Sequence, residues 1–275
     1  MGNRRLGKRR LKAVMDMPNS ASDEWGLVRP QGLAVPGLQK NVRSVCIGQM
    51  HGFGFEDATD VPADGQTTAI WVREDENSAA IALKANDADY TDGCLVLTPG
   101  NGADDAVGFM TANQPLECIT GKKWWAEAAF KLADIDDCEL FFGVTEDAYD
   151  TSVNYATVAA GAGADKSGFK KGVHSSGIIG ITSSLNSTED TKATALTLTA
   201  NDDQVILGIH WDGAGTVKFY GAFEATGTAI GDIPLLHSTN VHSDQNMGLV
   251  LQQIHTTGAA NDPLTVNYVR ACWEV

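Results

Sequence analysis

The sequence predicts an all-β protein built as an antiparallel β-sandwich. Short apolar runs alternate with polar residues at a period of two, which is the spacing of a strand with one buried face. Clusters of Asn, Asp and Gly separate these runs, as in residues 86–93 and 100–105, and such clusters supply turn conformations. The 275 residues include 29 glycines and few long helix-forming runs, which fits many strands joined by turns.

Residues 121–146 carry the most informative pattern. Alternate positions of residues 124–132 are apolar, and the alternation resumes over residues 138–145 after a polar turn. We therefore predict two core strands joined as a hairpin. A helix is the competing interpretation for the first segment, because some of its apolar residues are also four apart and alanine favours helices. The aromatic and β-branched second segment favours strands.

A second hairpin is predicted over residues 202–223, with a turn at Asp212-Gly213-Ala214-Gly215. The pattern also predicts a final strand over residues 264–275, so that the chain ends inside a sheet. Residues 149–172 and 183–192 are predicted to be surface loops. Further strands are predicted at residues 67–73, 79–84, 94–98, 106–111, 177–182, 195–199 and 247–254.

The charge is unevenly distributed along the chain. The formal net charge is −15, from 20 basic and 35 acidic residues, yet the first twelve residues carry six positive charges and no negative one. Without those six, 14 basic residues remain against 35 acidic ones, a net charge of −21. We predict a basic arm (residues 1–17), an extended strap interrupted by Pro and Gly (residues 18–45) and a β-sandwich body (residues 46–275). The arm's basic residues are Arg4, Arg5, Lys8, Arg9, Arg10 and Lys12.

Several classes of protein are disfavoured by the composition. The acidic body would repel nucleic acid and anionic membranes, and no segment approaches the length of about eighteen apolar residues that spans a bilayer. The N-terminus lacks the apolar core of a secretory signal, so we expect a protein made in a cytoplasm. The five cysteines contain no C-x-x-C pair, which indicates small buried apolar residues rather than disulfides or a zinc site.

The order of several motifs resembles virion structural proteins of tailed bacteriophages, which are built on a concanavalin A-like (lectin/glucanase) β-sandwich of the jelly-roll type. The basic opening at residues 3–9 is similar to that of structural proteins in marine phages. The motifs are Trp124-x-x-Glu127-x-x-Phe130-Lys131-Leu132, Phe141-Phe142-Gly143-Val144-Thr145, Leu207-Gly208-Ile209-x-Trp211-Asp212-Gly213 and Val217-x-Phe219-Tyr220. The resemblance covers about residues 65–275 and implies the fold rather than the function.

No catalytic, metal or cofactor site is predicted. Glycosidases need two converging carboxylates, whereas we interpret Glu127, Glu139 and Glu146 as surface groups, so we expect no enzyme. The acidic turns at residues 134–137 and 87–92 offer oxygen ligands to calcium, but neither has the spacing of a calcium loop. The histidines lack the spacing of a zinc site.

Three aromatic residues, Trp125, Phe141 and Tyr220, are predicted to lie on the outward face of their strands. Outward aromatics commonly anchor contacts between subunits, which favours a homo-oligomer. Stacking against a sugar, including a host glycan, is the alternative.

We therefore expect a structural protein of the virion, assembled in the host cytoplasm. Head decoration, or cementing of the major capsid protein, is the first hypothesis, with the arm binding the capsid or another virion protein. The alternatives are a lectin-like adhesion module and a tail or fibre component.

Overall fold

The computed structural model describes residues 42–48, 71–75, 79–84, 94–100, 102, 105–136, 138–146, 150, 152–157, 165–172, 176–224, 233–242, 244–255 and 262–274. Within these residues the chain forms two eight-stranded antiparallel sheets packed face to face, with no helix. The all-β sandwich predicted from the sequence is confirmed.

The strands are numbered in chain order. Sheet 1 contains, in spatial order, β14 (Leu235–Thr239), β13 (Val217–Glu224), β12 (Gln204–Trp211), β7 (Trp124–Leu132), β16 (Leu264–Glu274), β4 (Cys94–Thr98) and β3 (Ala80–Lys84), with β1 (Val42–Gly48) also paired with β16. Sheet 2 contains β11 (Thr188–Thr197), β10 (Ile178–Leu185), β9 (Lys166–Lys171), β8 (Cys138–Thr145), β15 (Asn246–His255), β5 (Ala106–Thr111) and β2 (Trp71–Asp75), with β6 (Leu116–Glu117) also paired with β15.

The core lies between the two sheets and follows the predicted alternation. Alternate side chains of β7, from Trp124 to Leu132, belong to one buried apolar cluster, which confirms a strand rather than a helix. The inward side chains of β8, from Cys138 to Val144, belong to the same cluster. Burial of these apolar faces is the main stabilising contribution to the fold.

The predicted hairpin over residues 121–146 is wrong. β7 pairs with β12 and β16 in sheet 1, whereas β8 pairs with β9 and β15 in sheet 2. The chain crosses from one sheet to the other after β7, so the two strands lie in opposite sheets and contribute to the same core. Alternation identifies the buried face of each strand. It does not show whether two consecutive strands pair within one sheet or lie in opposite sheets, because both arrangements bury the same faces.

The hairpin of β12 and β13 is confirmed, with Trp211 opposite Val217 beside the turn. The turn uses two glycines with positive φ, Gly213 (71°) and Gly215 (111°), a conformation that residues with a Cβ rarely adopt. The Asp212 carboxylate accepts hydrogen bonds from the backbone N–H groups of Ala214 (2.7 Å) and Thr216 (3.1 Å).

Two predicted loops contain strands. The interval 149–172 includes β9, and the interval 183–192 includes the turn between β10 and β11, where Asn186 and Ser187 have φ of 47° and 70°. β9 was missed because it is rich in lysine, and β10 and β11 were predicted only at 177–182 and 195–199 because the residues nearer their turn are polar. Such strands lack the apolar alternation from which strands are recognised.

The last described strand, β16, lies inside a sheet, as predicted. β16 pairs with β7 on one side and with β1 and β4 on the other. Residues 42–45, which we assigned to the strap, are part of β1. The basic arm and residues 18–41 lie outside the described residues, and no helix in the described part is long and apolar enough to cross a membrane.

Four cysteines, Cys94, Cys118, Cys138 and Cys272, are buried, as expected for small apolar residues. Burial raises the pKa of the Cys118 thiol to about 12, against a smaller lowering from the nearby Trp124 side chain. This thiol is therefore protonated at neutral pH and is a poor nucleophile.

Candidate functional site

The outer face of sheet 1 is buried, contrary to expectation. Trp125 and Tyr220 do point away from the core, but their exposed fractions are only 5% and 2%, and they form a separate apolar cluster with Ile233 and Cys272. Trp125 also stacks on His210, with ring centroids 5.2 Å apart and an angle of 4° between the planes. Neither aromatic side chain offers an open platform for a sugar.

A buried ion pair lies on the same face. Arg270 of β16 is directly opposite Glu127 of β7, and its Nη2 lies 2.6 Å from Glu127 Oε2. The Tyr268 hydroxyl donates to the other carboxylate oxygen of Glu127. The interpretation of Glu127 and Glu139 as surface carboxylates is wrong, since the two residues are 1% and 6% exposed.

Phe141 points away from the core on sheet 2 and is also fully buried. Its ring lies against Gly143 and Gly168, which leave room for it because they have no Cβ. Tyr155 covers the ring, with centroids 5.9 Å apart. Gln252 holds the segment around Tyr155 by accepting a hydrogen bond from the Tyr155 N–H (3.1 Å) and donating one to the Val153 carbonyl (2.9 Å).

Beside Phe141, the fully buried Lys166 donates from Nζ to the Tyr155 carbonyl (2.7 Å). Burial, reinforced by repulsion from Lys170, lowers the pKa of Lys166 to about 8, although attraction to Glu189 acts in the opposite direction. The unfolded chain keeps this proton up to a pH near 10.5. Between about pH 8 and pH 10.5, Lys166 binds a proton more often in the unfolded chain than in the folded protein. The free energy of unfolding therefore rises with pH in this range.

We therefore expect the free energy of unfolding to increase from pH 7 to 9.5 by up to about 1 kcal/mol per pH unit because of Lys166. Urea denaturation across this range, compared with Lys166→Met, measures the contribution. The variant should lack this part of the rise. Identical pH profiles for the two proteins would contradict a depressed pKa at Lys166.

An open polar cleft of about 710 Å³ lies at one end of sheet 2. It forms where β8 ends and β9 and β15 begin, next to the turn of β10 and β11 and the turn after β5. Both turns contain residues with positive φ that are not glycine, among them Asn113 and Asn186. The cleft is lined by Gln114, Glu146, Asp165, Asn186, Asp244, Gln245 and Asn246.

Hydrogen bonds connect the segments that form the cleft. Glu146 Oε1 accepts from the Asp165 N–H (3.2 Å), and Asp165 Oδ1 accepts from the Asn186 N–H (2.8 Å). Gln114 donates from its side chain to the Glu146 carbonyl. Gln245 donates to Asp244 Oδ1 (3.0 Å) within the loop that precedes β15. Bonds to the backbone fix the positions of Glu146 and Asp165, so their carboxylates are preorganised.

The described residues contain no group of three or more His, Cys, Asp or Glu side chains arranged to hold a metal ion. In the acidic turn after β7, Asp134 Oδ1 accepts a hydrogen bond from the Asp136 N–H (2.7 Å), which stabilises the turn. Asp137 and the acidic segment 87–92 lie outside the described residues.

Comparison with solved structures identifies the fold as a concanavalin A-like β-sandwich. A protein of unknown function from Shewanella oneidensis MR-1 has a TM-score of 0.57 and 8% identity, covering 88% of this chain and 95% of that one. Peanut lectin in complex with a nine-residue peptide has a TM-score of 0.53 and 12% identity, covering 84% and 97%. Winged bean acidic lectin in complex with methyl-α-D-galactose has a TM-score of 0.50 and 13% identity, covering 85% and 98%.

No protein-family model matches the sequence, and no curated protein is similar to it in sequence. At these low identities the structural similarity shows the fold alone.

The exclusion of enzymes made from the sequence is wrong. Structures similar in fold include an endo-1,3-β-glucanase from Streptomyces sioyaensis (TM-score 0.49, 11% identity, covering 87% of this chain and 99% of that one) and an endo-β-1,4-glucuronan lyase from Trichoderma reesei.

The cleft was not predicted from the sequence. Its lining residues come from separate segments between residues 114 and 246, and only the folded sheet brings them together. The one local signal was the excess of Asn, Gln and Asp at turns, which we interpreted as turn chemistry alone.

Proposed function

We propose that the protein binds carbohydrate in the cleft at the end of sheet 2. The observation that carries this proposal is the lining, in which side-chain amides and carboxylates converge on a volume within the range of small-molecule sites. Amides both donate and accept hydrogen bonds and carboxylates accept them, which suits the hydroxyl groups of a sugar. The concanavalin A-like fold, which this chain shares with two lectins, is consistent with the proposal.

The test is a glycan array with the purified full-length protein, followed by affinity measurements on any glycan bound. Gln245→Ala and Asn246→Ala should each weaken binding by roughly threefold to tenfold, the effect of losing one neutral hydrogen bond. Gln204→Ala is the matched control, because Gln204 begins β12 at the opposite end of the sandwich. Absence of any glycan signal, or equal losses in all three variants, would reject the cleft as the site.

We further propose that the chain is a structural component of a virus particle, with head decoration or cementing of the capsid as its role and a tail or fibre position as the alternative. The separation of charge supports this proposal, since a basic arm joined to an acidic body suits attachment to acidic groups on a neighbouring protein. A protein that binds only the assembled lattice stabilises it by mass action. Homo-oligomerisation of the body belongs to the same proposal.

Deletion of residues 1–17 tests the attachment. The shortened protein should remain soluble and folded but should no longer bind empty phage heads in a pull-down assay. Binding by the full chain should weaken as salt increases, because salt screens charged contacts. Undiminished binding after the deletion would disprove the role of the arm, and binding to tails instead of heads would favour the alternative position.

A further inference from the structure

We infer that the glycan taken by the cleft is an amino sugar with a free, protonated amino group. This inference deepens the proposed function and rests on it. Three carboxylates, those of Glu146, Asp165 and Asp244, line the cleft, and its lining includes no lysine or arginine within the described residues. The remaining lining side chains are amides, so the cleft combines negative charge with neutral groups for hydroxyls.

Asp165 is the most constrained of these carboxylates. It is 6% exposed, and its Oδ1 accepts the Asn186 N–H (2.8 Å). Its Oδ2 accepts no hydrogen bond within the described part of the chain and remains available as an acceptor. A buried carboxylate loses solvation, which a ligand donor can replace.

Asp244 differs because it is exposed and lies on the loop before β15. Its Oδ1 accepts a hydrogen bond from the side-chain amide of the neighbouring Gln245 (3.0 Å). The Asp244 side chain makes no hydrogen bond to another described strand. Replacement of this carboxylate therefore tests the charge of the cleft with little effect on the fold.

The charge of the cleft selects among sugars by elementary electrostatics. A sugar ammonium group makes charge-assisted hydrogen bonds with carboxylates, which are roughly twice as strong as neutral ones. A uronate or sulfated sugar would bring negative charge against three carboxylates, within a chain whose net charge is −15. N-acetylation removes the positive charge and with it the preference.

The test is calorimetric titration of the full-length protein at about pH 6, where an amine is protonated. The ligands are the glucosamine tetramer, the N-acetylglucosamine tetramer, cellotetraose and a galacturonate tetramer. The glucosamine tetramer should bind at least about tenfold more tightly than the two neutral tetramers, as expected for one charge-assisted contact, and the galacturonate tetramer should not bind. The preference should decrease with added salt.

Asp244→Asn should reduce the ratio of the affinity for the glucosamine tetramer to that for cellotetraose by at least about threefold. Asp202→Asn is the matched control, because Asp202 is exposed at the other end of the sandwich and asparagine tolerates its positive φ of 63°. It should bind like the unaltered protein.

The outcomes separate this inference from the proposed function. Equal or tighter binding of the neutral or uronate tetramers would overturn the preference for an amino sugar and leave carbohydrate binding in place. Binding of none of the sugars here or on the array would overturn both. Spermine serves as a cation that is not a sugar, and an affinity equal to that of the glucosamine tetramer would show that the cleft selects charge alone, which also overturns the inference.

Discussion

Replacement of Glu127 by Gln is expected to lower the free energy of unfolding by about 3–5 kcal/mol, the cost of leaving one charge of a buried ion pair without its partner. Glu127 and Arg270 are 1% and 4% exposed, and the pair is 2.6 Å apart. The neutral amide keeps the shape of the side chain but leaves the guanidinium without its counter-ion. The Tyr268 hydroxyl also loses a charged acceptor. Urea denaturation measures the change.

The double variant Glu127→Gln/Arg270→Met distinguishes the cost of an unpaired buried charge from the loss of the ion pair itself. Because it removes both charges, it should recover much of the loss. Lys170 and Glu189 form the matched exposed pair, with Nζ and Oε1 3.4 Å apart and side chains 29% and 30% exposed. Glu189→Gln should cost about 1 kcal/mol or less, because water screens this pair. A similarly small loss for Glu127→Gln would contradict the burial of the pair at Glu127.

The same residue shows where prediction from the sequence succeeds and where it stops. The period of two placed Glu127 and Trp125 on the outer face of a strand, and the structure agrees. Periodicity does not reveal what covers that face, so both residues were expected to be exposed. Burial of the outer face depends on contacts between segments far apart in sequence, such as Trp125 with Ile233 and Cys272.

Strand existence was predictable where apolar alternation is strong, as in β7, β8, β12 and β13. Strand partners were not predictable for β7 and β8, because each presents one apolar face to the same core from opposite sheets. The turn between β10 and β11 gave no apolar signal, because residues 183–192 are almost all polar, and its Asn186 forms part of the cleft. The candidate site was missed because its lining residues lie in polar turns and at strand ends, where apolar alternation gives no information.

Replacement of Gly143 by Ala is expected to destabilise the protein by about 3 kcal/mol, the upper part of the range for overpacking in a well-packed interior. A Cβ at this position would lie 2.5 Å from the Ser167 carbonyl oxygen, 2.6 Å from Phe141 Cζ and 2.7 Å from the Gly168 Cα. Two of these atoms belong to the backbone of β9, so relief requires the paired strands to separate rather than a side chain to rotate. Thermal and urea denaturation measure the effect.

Gly172→Ala is the control, since its Cβ would meet the nearest atoms, on Ala156 and Thr157, at 3.3 Å. A few tenths of an ångström relieve that contact, and we expect a change within about 1 kcal/mol. Adding Phe141→Leu to Gly143→Ala tests the cause: because the backbone contacts remain, the double variant should stay destabilised. Full recovery would show that the ring of Phe141 was the main obstacle and would contradict the importance of the two backbone contacts. A lasting loss instead assigns the cost to the close approach of β8 to the backbone of β9 at Ser167 and Gly168.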